Sequence, residues 1–371
     1  MNEKSPRLPW VKPAVMLSKR FFLGFCCALV ILIFCTSGLE PNISYRDFEE
    51  LGPSISSSRH SISDSASNAT LGFQNILALS PAPSWRTRGL EAAARLTGLH
   101  ITVPRQPKNP DAFIHAFQSI GQETGNLIPE LGSAKAWMAH LDLLKHVVAN
   151  EIETALIMED DVDWDVRIKD QMRLVWENVR KYTSNHEDEP APDGDDWDVL
   201  WLGHCGSTIE DYLPEPLQYA DGTRCRTEDY LGWSKIYVQG KLSEGYRQVQ
   251  YSSQTVCTFA YAVTKSSAQK VLDLTGTGAS EAFDVALEAY CRQGALRCLV
   301  INPQVFNHYE PPSEEGYVSI VHVGDSKGVS SDESSFEDRK GATVNIVRSA
   351  RCAALFDDTC MMPTENMWLN Q

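Results

Sequence analysis

Positive charge is scarce. Thirty-three Lys and Arg stand against 49 Asp and Glu, a formal net charge of -16 over 371 residues. That balance excludes nucleic acid or an anionic membrane surface as the main partner. An anionic substrate such as a nucleotide would need a cation as intermediary. None of the ten cysteines forms a C-x-x-C pair, which argues against a zinc site. No internal repeats are visible. Two further absences bear on the most acidic stretch. Asp161, Asp163 and Asp165 have the spacing of the first ligands of an EF-hand, but Val166 replaces the glycine at position six and Met172 the glutamate at position twelve. The stretch also contains no histidine, whereas the two-metal site of a phosphodiesterase needs several well-separated His and Asp ligands.

What is present starts with that stretch, Thr154–Asp165, T-A-L-I-M-E-D-D-V-D-W-D. Ala155 to Met158 are apolar, too few for a helix and right for a buried strand. Glu159, Asp160, Asp161, Asp163 and Asp165 then place five carboxylates in seven positions. They repel one another unless something neutralises them. A hard divalent cation does so, and often takes only one or two protein oxygens, with phosphate and water supplying the rest. The C-terminal end of a strand is also where open α/β sheets bind ligands. The competing reading is a solvated acidic turn.

Phe21–Leu39 is 19 residues without a charge, long enough to span a bilayer. Lys4, Arg7, Lys12, Lys19 and Arg20 precede it, so the positive-inside rule puts the N-terminus in the cytosol and the rest in the lumen. A signal peptide cut near Thr36, Ser37 and Gly38 is the alternative, and either route enters the secretory pathway. Sequons at Asn42 and Asn68 follow. The expected organisation is a cytosolic tail (1–20), an anchor (21–39), a Ser-rich stem (40–70) and a lumenal domain (71–371), single-pass type II in the Golgi or endoplasmic reticulum. Cys26, Cys27 and Cys35 lie in the apolar span, leaving seven lumenal cysteines. An odd number leaves at least one free or paired between chains, and Cys291–Cys298 is the best single pair.

Within the lumenal part, Gln74–Leu79 reads as a strand. Ser84 caps a helix from Trp85 to Thr97 stopped by Gly98, and Ile101–Val103 is a second strand. This β-α-β unit is expected of a nucleotide-binding α/β half. Arg86 and Arg88 fall on the first turn of its helix, where they could contact a diphosphate or base or be ordinary surface arginines. Ser133 can cap a helix to about Asn150, with stripes Ala134, Trp137, Leu141, Leu144, Val148 and Ala136, His140, Leu143, Val147. His140 reads as a hydrogen-bonded core histidine. Strands are expected at Trp197–Leu202, Val256–Val263 and Leu299–Pro303, and a helix at Ser266–Leu274. Residues 185–196 read as an acidic solvated loop, 207–250 as an irregular lid or acceptor loop, and 326–341 as disordered.

The order of these elements, with Glu159-Asp-Asp161, Trp197–Cys205, Phe283-Asp284 and Pro303–His308, resembles glycosyltransferase family 25, the lipopolysaccharide and procollagen galactosyltransferases, in its fungal membrane-anchored form. The resemblance covers roughly residues 71–310. It implies an α/β, GT-A-like nucleotide-sugar-binding fold, a UDP-sugar donor, commonly UDP-galactose, a divalent metal taken to be Mn²⁺, a glycan or glycoprotein acceptor, and inversion at the anomeric carbon. The acidic motif maps onto Glu159, Asp160 and Asp161. Two departures stand out: Arg86-Thr-Arg88-Gly89 replaces the usual Arg-x-Asp-Arg turn, and Lys135–His140 replaces a Gly-x-x-x-Ser-His helix opening. Both lie near the expected nucleotide pocket. On this reading Asp161 holds the metal with Glu159 and His308 as further ligands, and Glu159, Asp160, Arg86 and Arg88 meet the nucleotide. Asp284 is the acceptor-side base and Asp163 the alternative. A catalytically inactive, membrane-anchored carbohydrate-binding protein is the competing function.

Overall fold

The computed structural model describes residues 66–123, 127–184, 197–312, 315–329 and 333–363. The expected tail and anchor, most of the stem and the loop 185–196 lie outside them. Among the described residues no helix is long and apolar enough to cross a membrane. The described residues belong to one compact unit. Its fold reaches back to Ala66, which is buried, so the expected start at Leu71 falls inside it. Asn68 Oδ1 there accepts from the backbone of Thr70 and Gly72 at 2.8 and 3.1 Å.

The first half is a β-α-β-type arrangement. Strand β1 (Asn75–Leu79) is followed by helix α1 (Trp85–Thr97) and the short β2 (Ile101–Thr102). Ser84 and Thr87 form a reciprocal capping box at the start of α1, and Gly98 ends it at φ +63°, a conformation glycine adopts without cost. Helices α2 (Asp111–Glu123) and α3 (Leu131–Ala149) lead to β3 (Thr154–Glu159) and β4 (Val162–Trp164). Ser133 does not cap α3, which starts two residues earlier. Ser133 N and Oγ instead donate to Asp325 at 3.0 and 2.8 Å. Next come α4 (Ile168–Ser184), β5 (Val199–Gly203), β6 (Leu217–Ala220), α5 (Lys235–Lys241) and β7 (Tyr246–Tyr251). The remaining elements are β8 (Ala260–Thr264), α6 (Lys265–Thr275), α7 (Phe283–Arg292), β9 (Cys298–Asn302), β10 (Phe306–Glu310), α8 (Ile320–Gly324), β11 (Ala342–Thr343) and α9 (Ala350–Phe356).

These strands form one mixed sheet in the order β2-β1-β3-β8-β5-β9-β7-β6. β2, β1 and β3 run parallel, β8 enters antiparallel between β3 and β5, and β5 and β9 are parallel. The protein is therefore α/β with helices on both faces. Alternation along β3 divides its burial: Leu156 and Met158 pack with α1 and α4, Ala155 and Ile157 with α3, α6 and α7. Two expectations are corrected. The segment 207–250 is not irregular throughout, since β6 and β7 pair antiparallel and extend the sheet edge. Within 326–341, Phe336 is only 1% exposed and seats the described residues around it on the fold, whereas Ser326, Lys327 and Val329 are exposed.

Candidate active site

The site forms where parallel strands end together. Leu79 pairs with Glu159 in register, so the chain leaves β1 at Ser80 beside the point where it leaves β3 into Asp160 and Asp161. Helix α1 begins five residues later and brings Arg86 to the same place. Ser80 Oγ donates to Asp160 Oδ2 at 2.5 Å, and Arg86 Nε lies 3.9 Å from Asp161 Oδ2. From the other side, β10 lays Tyr309 N on the Asp161 carbonyl at 2.8 Å, and Glu159 N donates to Phe259 O at 3.0 Å.

The carboxylates strain one another. Burial pushes the Glu159 carboxyl well above the ordinary range, and the charges of Asp161, Asp160 and Asp284 add to it. Asp160 is pushed up to about 6, first by burial and then by Asp161, with the Ser80 hydrogen bond, Arg86 and Arg351 acting against the rise. Asp284 therefore lies close enough to Glu159 for their charges to interact, although the two are 125 positions apart. Asp161 is the member with unspent capacity: its Oδ1 is buried and has no hydrogen-bond partner among the described residues. A buried carboxylate oxygen left unpaired is costly, and a cation would satisfy it.

The remaining expected site residues are placed as follows. Asp284 is the second residue of α7, and Ala282 takes the N-cap position. Its Oδ2 accepts from Cys257 N at 2.7 Å. Arg86 is 2% exposed, whereas Arg88 is at the surface. The His308 ring lies tilted against Phe259, with ring centroids 4.9 Å apart. Its Nε2 meets Glu310 Oε1 at 2.6 Å and its Nδ1 lies 3.3 Å from Asn307 Oδ1. Burial disfavours a charged His308, but the Glu310 hydrogen bond and charge and then Asp161 outweigh it, so its pKa is raised. Both ring nitrogens thus have partners, and coordination of a metal would require His308 to give one up.

Asp163 does not join the group. It is fully buried, and its carboxylate accepts from Trp164 N at 2.8 Å, Arg351 N at 3.0 Å, Thr343 Oγ1 at 2.7 Å and Ser349 Oγ. With its lone pairs used on four donors and no exposed surface, it fastens β11 and α9 to β4. Asp165 is likewise held by Arg167 at 2.7 and 2.8 Å and by Arg348 N.

The most important residue that sequence reasoning missed is Arg351. It is 0% exposed, and its guanidinium donates to the carbonyls of Arg86, Asp160 and Val162 at 3.1, 3.0 and 3.3 Å. It joins α1 to the acidic loop and puts a positive charge behind it. Gly89 is required opposite, because a Cβ there would lie 2.2 Å from Arg351 Nη1. The only local signal for Arg351 is its neighbour Cys352, which closes a short loop with Cys360. Ser80 and Glu310 carried no signal of their own.

No protein-family model matches this chain, and no curated protein sequence matches it. The chemistry must be argued from the site. No group of three or more His, Cys, Asp or Glu among the described residues forms a ready-made metal cage. The residues present do fit a hard cation that takes one or two protein oxygens and completes its shell from a phosphorylated substrate, with the unpartnered Asp161 Oδ1 as a ligand.

Proposed function

We propose that this chain is a metal-dependent glycosyltransferase with a GT-A-like fold. It moves a hexose, galactose in the first instance, from a UDP-linked donor to a glycan or glycoprotein hydroxyl, with inversion. The observation that carries the reading is the buried, unpartnered Oδ1 of Asp161 at the end of a central strand, within a carboxylate cluster beside Arg86.

Asp161, with Glu159 beside it, would hold the cation. A bound divalent cation supplies Lewis-acid neutralisation of the departing diphosphate. Arg86 adds fixed positive charge on the same side. Glu159 and Asp160 are available to ribose hydroxyls, with Asp160 oriented by Ser80. As the bond from C1 to the leaving phosphate oxygen breaks, the acceptor oxygen bonds to C1 from the opposite face and gives its proton to Asp284. That carboxylate spends Oδ2 on Cys257 N, which fixes its direction and leaves Oδ1 for the proton. The Cys205–Cys257 disulfide steadies the loop that does the orienting.

Three disulfides, Cys205–Cys257, Cys291–Cys298 and Cys352–Cys360, support an oxidising lumen and hence the Golgi or endoplasmic reticulum. The Cys291–Cys298 pair is the one expected. Cys225 is the odd thiol, and it is buried. Incubating full-length protein with nucleotide sugars, with Mn²⁺ or with a chelator, tests the function. The expected result is metal-dependent release of UDP from UDP-galactose. Glycan binding without turnover of any nucleotide sugar would instead indicate an inactive carbohydrate-binding protein.

A further inference from the structure

The two arginines that open α1 are both engaged by one late segment of the chain. Arg86 Nη1 and Nη2 lie 3.4 and 3.5 Å from the two carboxylate oxygens of Glu333, and Trp85 Nε1 donates to the same group at 3.2 Å. Arg88 Nε meets both oxygens of Glu337 at 2.8 and 2.7 Å. Phe336 seats the segment. It packs edge-on against Trp85 at 5.7 Å and is near-perpendicular to Tyr317 at 5.8 Å. The Arg86 guanidinium lies 4.7 Å from the centre of the Trp85 ring.

The two sides of this contact differ in freedom. The Arg86 side chain is 3% exposed and cannot move into water without breaking its packing, while those of Glu333 and Glu337 are each 35% exposed. A carboxylate that already reaches solvent loses little by leaving. Arg86 Nε is 3.9 Å from Asp161, beyond hydrogen-bond distance, so Glu333 is the partner that meets its guanidinium in a fork. One acceptor-only anion, Glu333, is thus held on the guanidinium nearest Asp161, and a second, Glu337, on the exposed guanidinium two residues further along the same helix. A nucleoside diphosphate offers that pattern of charge too.

We propose that Glu333–Glu337 is an internal competitor for the donor: its carboxylates hold Arg86 and Arg88 and must give way when a nucleoside diphosphate binds. The proposal rests on the reading of this site as a nucleotide-sugar site. The strap would set the donor concentration at which the enzyme becomes active, and Phe336 would keep it attached nearby to re-close after the nucleotide leaves.

The test is titration of full-length protein with UDP in the presence of Mn²⁺, comparing wild type with the double variant Glu333→Gln, Glu337→Gln. Glutamine keeps the volume and removes the charge. A strap closed nine-tenths of the time lowers apparent affinity about tenfold, so the variant should bind UDP about tenfold more tightly. Hydrogen exchange supplies a second readout: UDP should speed amide exchange in wild-type peptides covering 333–341. Equal UDP affinity in the two proteins, with exchange there unaltered by UDP, overturns the strap and leaves the donor site standing. Weaker binding by the variant also overturns it. Failure of both proteins to bind UDP defeats the donor reading and the strap with it.

Discussion

Asp163 and Asp284 are both aspartates, and their surroundings give them opposite predicted behaviour. Asp284 has one oxygen tied to Cys257 N and lies near Glu159. Asp284→Asn should leave UDP affinity unchanged and slow transfer by about 10²–10⁴-fold, the usual worth of a general base. Because Ala282 holds the N-cap position, loss of a helix cap does not complicate the result. Near-normal transfer by the variant would remove Asp284 from the chemistry. Asp163→Asn should instead lower stability by about 1–3 kcal/mol, since an amide NH₂ would replace one of two oxygens that each accept from two donors, Thr343 and Ser349 on one and Trp164 N and Arg351 N on the other. Chemical denaturation measures that loss, and unaltered stability would show that the four donors find other partners. At this scale the sequence was informative about which residue types gather and less so about roles. The run Glu159–Asp161 is legible because apolar residues end abruptly in acids. That Asp163 is spent on structure depends on Thr343, Ser349 and Arg351, about 180 positions away, which no local pattern reveals.

Among the elements, α1 and the acidic loop are joined through Gly89 and Arg351. Replacing glycine by alanine inside a helix normally stabilises by up to about 1 kcal/mol. Here the added Cβ would meet a buried guanidinium. Gly89→Ala should therefore destabilise by about 1–3 kcal/mol and weaken UDP binding in Mn²⁺, because Arg351 also holds the Asp160 carbonyl. A thermal melt that rises in the variant would contradict this. The β6–β7 edge gives a pH prediction. Burial alone would raise the Asp221 pKa, but Arg247 at 2.8 Å and hydrogen bonds from Thr223 outweigh it and hold the group below the usual carboxylate range. Its stabilising contribution is thus full above the unfolded value near pH 4 and is lost as pH falls through the lower folded value. Asp221→Asn, which strands a buried guanidinium, should cost about 3–5 kcal/mol at neutral pH. The difference from wild type should shrink on acidification. A gap independent of pH would remove Asp221 as its cause. This edge also shows why β7 was missed: Arg247, Gln248 and Gln250 are all buried in it, so the strand lacks the apolar alternation that sequence reading relies on. α1 was legible to the residue because cap, length and stop are local signals.

For the whole molecule, the described fold places two sequence-distant groups at one end of the sheet: an acidic loop with a buried, unpartnered oxygen, and a carboxylate on α7 held by the backbone of a disulfide-bonded loop. The C-terminal part, residues 333–360, closes the structure from outside by Phe336, Arg351 and the Cys352–Cys360 loop. Its contacts with α1 span about 250 positions, so neither its order nor its role was visible in a Ser- and Asp-rich composition. The central claim is that Asp161 holds a cation that recruits a nucleoside diphosphate. Calorimetric titration of UDP into full-length protein, with and without Mn²⁺, for wild type and Asp161→Asn, tests it most directly. The account predicts binding by wild type only with Mn²⁺, and loss of that binding in a variant whose melting curve is retained, since the packing residues Leu156 and Met158 are untouched. Equal Mn²⁺-dependent affinity in the two proteins, or wild-type binding indifferent to the metal, would contradict it.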